Sequence, residues 1–136
     1  MGQQQLLLIV LGVIVVGIAV VAGINLFSAS HDESIKDELV SQCQAIGANA
    51  QQFFIKPTSM GGGGNTFNSG GPLGGGFVIP GKMTGTSNGT YQLLPAPTAD
   101  VCVITATPRP ITGKTYNFTT VVCRVTADSI QTTVNP

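Results

Sequence analysis

The chain has 136 residues with six basic and six acidic side chains, so its formal net charge is zero, and only 9% of its residues are charged against about 25% in a typical soluble protein. A chain this neutral carries no basic footprint for nucleic acid and no field that would steer a charged substrate. Hydrophobic residues make up 43%, and a disproportionate share of them sits at the amino end.

From Leu6 to Phe27 no side chain is ionisable, and Asn25 is the one polar residue. As a helix these residues would be about 33 Å long, enough to cross a bilayer core of about 30 Å. A secretory signal peptide would have a basic leading region and a shorter apolar core, whereas Met1-Gly2-Gln3-Gln4-Gln5 has no side-chain charge. Residues 1–27 are therefore expected to stay in the mature chain as a hydrophobic helix, in a membrane or in a bundle of like helices. The first basic residue is Lys36, so the positive-inside rule has little to read. The side carrying His31, Asp32 and Glu33 is taken as the exported one.

Residues 28–56 contain no proline and one glycine, Gly47. Apolar residues Ile35, Leu39, Cys43, Ile46, Ala50 and Phe53 recur at spacings of three and four, one stripe of an amphipathic helix that continues the apolar segment into a head domain. Lys56-Pro57 ends it, because proline lacks a backbone donor and restricts the residue before it. One helix from about Gln3 to Ile55 would measure about 80 Å. Ser30 followed by Glu33 also matches a capping box, so a break at Ser28-Ala29-Ser30 is the competing reading.

The segment 57–76 holds nine glycines in twenty residues, costly to order. It reads as a flexible surface loop, or as a loop held against neighbouring copies through Met60, Phe67 and Leu73. It is not a phosphate cradle: Gly113-Lys114-Thr115 ends like one, but Pro108 stands where the first glycine would be.

Residues 77–136 change to a period of two. The runs at 77–79, 90–94, 101–107, 115–126 and 129–134 are rich in β-branched and aromatic residues and predict three or four antiparallel strands, with 108–114 as a reversal. Cys102, Ile104 and Ala106 share one strand face, and Val121, Cys123 and Val125 another, both suited to lie on the helical stripe. The fold class that follows is α+β: a long amino-terminal helix packed on a small antiparallel sheet.

Three cysteines allow one disulfide. Cys102 with Cys123 is the expected pair, on adjacent strands, and a bridge from Cys43 to either is the rival. One histidine and no CxxC pair argue against a metal site, and no cofactor is expected. No nucleophile is placed beside a base, so no catalytic residue is expected. Asn88-Gly89-Thr90 and Asn117-Phe118-Thr119 match the N-glycosylation pattern at Asn88 and Asn117.

An apolar amino-terminal helix, its amphipathic continuation and a small sheet with cysteines near the end together resemble the mature subunit of a type IV pilus or a related filament. The resemblance implies that a peptidase acts after a glycine ahead of the apolar segment, here between Gly2 and Gln3. It implies that Leu6, Leu7, Leu8, Ile9, Leu11, Val13, Ile14, Val16, Ile18, Val20, Val21 and Ile24 pack in a filament core while the heads form the outer wall. The family's glutamate at the fifth mature position is replaced by Gln5, or by Leu7 if cleavage follows Gly2, and Ala22 stands at the usual proline, which marks a divergent branch. The function implied is the major structural subunit of an extracellular, type IV pilus-like helical filament. Its partners are many copies of itself, the membrane before assembly, and export and assembly machinery, with no nucleic acid. The alternatives are a single-pass membrane-anchored exported domain and a minor pseudopilin of a secretion system.

Overall fold

A computed structural model describes residues 2–70 and 74–136. One helix, α1, spans Gly2–Ile55 and passes unbroken through 22–30; the capping-box pattern at Ser30 starts no new helix, since nothing there removes a backbone donor. Among the described residues four strands follow: β1 (Gly89–Leu93), β2 (Cys102–Pro108), β3 (Thr120–Val125) and β4 (Ile130–Asn135). They form one antiparallel sheet in the order β1-β2-β3-β4, each strand beside its sequence neighbour. The fold is α+β, as the change of hydrophobic period predicts. The chain divides into two compact units, 1–34 and 35–136.

In the second unit the predicted stripe is the buried face of the helix: Ile35, Leu39, Cys43, Ile46 and Ala50 are buried, and Phe53 packs half-buried at its end. The stripe lies obliquely across the strands. A Cβ on Gly89 of β1 would meet the Leu39 side chain, the Cys43 thiol faces the Ile104 carbonyl of β2, and Gly47 faces Val125 of β3 and Ile130 of β4. One step of four residues advances a helix by about 6 Å and the next strand lies about 4.8 Å away, so successive stripe residues reach successive strands. Gly47 is required by this close approach: a Cβ there would sit 3.1 Å from Val125 Cγ2 and 3.2 Å from Ile130 Cδ1. Past this point Gln51 donates to the Thr126 carbonyl at 3.1 Å.

The sheet's inner face supplies Tyr91 from β1, Cys102, Ile104 and Ala106 from β2, and Val121, Cys123 and Val125 from β3, all buried. Residues 77–79 form no strand. Between Gly76 and Pro80 they send Phe77 and Ile79 into the core and make one backbone bond, Phe77 N–H to the Phe67 carbonyl at 2.8 Å. Residues 115–119, also predicted as strand, belong to the β2–β3 connection, where Phe118 plugs the core.

The described part of the glycine-rich segment, 57–70 and 74–76, is neither a loose linker nor free for neighbours at Phe67. It folds back over the end of α1, where Gly63, Asn65 and Gly64 donate to the carbonyls of Phe53, Phe54 and Lys56 at 2.8, 2.8 and 3.0 Å. These are acceptors that a helix end otherwise leaves open. Phe67 is fully buried against Phe54, with ring centroids 4.7 Å apart. The glycines serve close backbone packing: a Cβ on Gly63 would fall 1.9 Å from the Thr66 carbonyl oxygen, and Gly70 has φ 79° with Gly62's oxygen 2.1 Å from where its Cβ would be. Met60 stays exposed, and Leu73 lies outside the described residues.

Candidate functional site

Every residue from 2 to 31 is exposed. The residues singled out for packing, Leu6, Leu7, Leu8, Ile9, Leu11, Val13, Ile14, Val16, Ile18, Val20, Val21 and Ile24, range from 53% to 69% exposed, with Val10, Val15, Leu26 and Phe27 beside them. Monomeric soluble proteins rarely show a contiguous apolar patch larger than a few hundred Å². An apolar surface extending all round a helix for two dozen residues belongs in lipid or against other apolar helices. By length and composition this helix can cross a membrane.

The surface is ridged. Gln3, Leu6, Leu7, Val10, Leu11 and Ile14 line one open depression, and Ile14, Gly17, Ile18, Val21, Ala22 and Asn25 line the next. Their spacings of three and four are the grooves into which a second helix fits its own ridges. Gly12, Gly17 and Gly23 leave open space where a Cβ would be, so a neighbouring backbone can come close there. Gly2 begins α1 and Gln3 is exposed one residue later.

The second chemistry-bearing group is the set of three cysteines, all fully buried and all free thiols. The expected Cys102–Cys123 disulfide is not present, and the register gives the reason. Cys102 pairs with Val125 and Cys123 with Ile104, so the two cysteines are diagonal rather than opposite. Diagonal neighbours lie about 7 to 8 Å apart, beyond comfortable disulfide geometry. Cys43 instead faces the Ile104 carbonyl at 3.7 Å, with the Cys123 sulfur near it. Donation to that sulfur and burial both raise the Cys43 thiol, and the same contact, with the Thr132 hydroxyl 3.4 Å away, makes Cys123 the more acidic of the two. Burial pushes Cys102 up to about 12. Nothing in residue spacing could reveal the Cys43–Cys123 contact, which depends on strand register and helix placement together.

Tyr91 is also raised, first by burial, with its hydroxyl beside that of Thr86 and near Glu38. The two glycosylation candidates differ. Asn117 is exposed, whereas the Asn88 amide nitrogen, the atom that would carry a glycan, donates to Glu38 Oε2 on the helix. Among the described residues no group of three His, Cys, Asp or Glu side chains is arranged to hold a metal.

No family model, curated protein or solved structure matches the chain. The functional reading therefore rests on the apolar helical surface and the head beneath the stripe.

Proposed function

We propose that the chain is the major structural subunit of an extracellular, type IV pilus-like helical filament, held in the membrane by its amino-terminal helix before assembly. The observation that carries this reading is the one helix in two surroundings: residues 2–31 are exposed throughout, while the stripe from Ile35 to Ala50 is covered by the chain's own sheet. A chain that covers one part of a helix so completely and leaves the other bare has an occupant for the bare part outside itself. In the filament that occupant is the same segment of other subunits. Lipid and a helical bundle are similarly apolar, so the transfer gains mainly close packing through the open grooves and glycines, and head contacts and the assembly machinery supply the rest. The sparse charge of the chain suits heads that stand side by side, since like charges are not brought together at each repeat.

The test is to purify surface filaments from the producing cells, image them and identify their subunit by mass spectrometry, for the natural chain and for Val16→Asp. The natural chain is expected as the bulk protein of the filaments. Val16→Asp is expected to give none, with the head still folded in detergent, because an unpaired carboxylate is costly both in lipid and in an apolar bundle. Abundant normal filaments from Val16→Asp would overturn the packed-core reading. Recovery of the natural chain only as isolated membrane-bound molecules would replace it with a single-pass anchored domain.

A further inference from the structure

We propose that Cys43 and Cys123 form an oxidisable thiol pair that closes into a helix-to-sheet disulfide, with Cys102 remaining a thiol. Three pairings are available among the three buried cysteines, and the geometry separates them. Cys102 and Cys123 are diagonal across β2 and β3, offset by two residues in register. Cys43 projects onto the Ile104 carbonyl, and Ile104 is the residue directly opposite Cys123. That places the Cys43 thiol on the side of the sheet where Cys123 projects, beside the residue paired with it. Cys102 lies one pleat further along β2 than Ile104, about 6.6 Å away on the same face. Cys43 and Cys123 therefore need the least rearrangement to bond, whereas Cys102 is offset by a pleat from the point where Cys43 meets the sheet.

The oxidant is a disulfide, either that of a thiol–disulfide oxidoreductase or, in the test tube, glutathione disulfide. Cys123, reached while the head is open, loses its proton and attacks one sulfur of the oxidant, forming a mixed disulfide and releasing one thiolate. Cys43 then loses its proton and attacks the Cys123 sulfur. The Cys43–Cys123 bond forms, the mixed bond breaks, and a second thiolate leaves. The two protons end on the two released thiolates; two protein thiols are oxidised and one disulfide is reduced. With all three cysteines buried, exchange takes place while the head folds or opens. The bond ties the stripe of α1 to β3 across 80 residues of chain, from 43 to 123, a separation at which a cross-link strongly restricts the unfolded state.

The choice of pair rests on geometry alone, while its oxidation in the cell rests on the exported head proposed above. Refolding in a defined buffer reads the first independently of the second. The full chain in detergent micelles is unfolded in urea with reductant, refolded in a reduced and oxidised glutathione buffer, quenched with acid, alkylated in urea, and mapped by mass spectrometry without reduction. The expected product takes up one alkyl group where the reduced chain takes up three, with the Cys43 peptide linked to the Cys123 peptide and Cys102 alkylated. Its melting temperature is expected to exceed that of the reduced chain by roughly 10 °C or more. Cys102→Ala is expected to keep both the link and the shift, and Cys123→Ala to lose both while keeping its helix and sheet by circular dichroism. A linked peptide containing Cys102, or three alkylated thiols after refolding of both the natural chain and Cys102→Ala, would overturn the proposal.

Discussion

The two parts of α1 share a backbone conformation and differ in what surrounds them. Residues 6–27 form an apolar run on all sides of the helix and are exposed, and from Ile35 to Ala50 a single apolar stripe is buried. Hydrogen bonding within a helix is satisfied locally, so both sequences can be helical; what each then requires is set by the angular width of its apolar surface. A stripe is answered by one sheet, which a chain of this size can supply. An apolar cylinder is answered only by a surrounding medium.

The largest way to separate the two parts is to place a charge in each. Leu39→Asp is expected to unfold the head, since an uncompensated buried carboxylate costs several kcal/mol, comparable to the whole stability of a small domain. Leu8→Asp, on the bare part, is expected to leave the head's thermal transition where it was. Loss of the transition in the first and its retention in the second, by circular dichroism in detergent, is the checking measurement.

Glycines give a finer comparison. Gly47→Leu must push into Val125 and Ile130 and is expected to destabilise the head by about 1 to 3 kcal/mol in urea titration. Gly17→Ala, which meets nothing within 4 Å, is expected to leave head stability within about 0.5 kcal/mol; an equal loss from both would show that the bare part contributes to the head's core.

A pH titration in reductant reads the thiols at the centre of the covered part. Cys43, Cys102 and Tyr91 are all raised in the folded chain. Above the ordinary thiol value the unfolded chain therefore binds fewer protons than the folded one, and stability falls as pH rises. Cys102, moved from 9.0 to about 12, accounts by itself for on the order of 1 kcal/mol at pH 10; Cys123, lowered to about 7, adds stability as pH rises from about 7 to 9 and levels off above that. A stability flat from pH 8 to 11 would contradict the raised Cys43 and Cys102 thiols. The smallest expected effect is at the rim of the sheet: Asn88→Ala, which removes the donor to Glu38, is expected to cost about 1 kcal/mol.

Much of this architecture was legible in the residues, because it depends on short-range periodicity. The uncharged run Leu6 to Phe27 dictates an element that water alone cannot solvate favourably. The three-and-four spacing of Ile35, Leu39, Cys43, Ile46, Ala50 and Phe53 dictates one buried helical face, Pro57 its end, and the alternation around Cys102–Ile104–Ala106 and Val121–Cys123–Val125 two inward strand faces. What only the tertiary structure decided depends on the placing of elements far apart in sequence. A two-residue offset in the β2–β3 register sets Cys102 away from Cys123, and the oblique path of α1 sets Cys43 against Cys123 instead. The folding of the glycine-rich segment over the end of α1 was hidden for a related reason: glycine composition measures how freely a chain can move, while the contacts of Phe67 with Phe54 and of Gly63 with Phe53 determine whether it does. Alternation within one strand says which residues face inward, but it carries no information about which inward residue of the next element they meet.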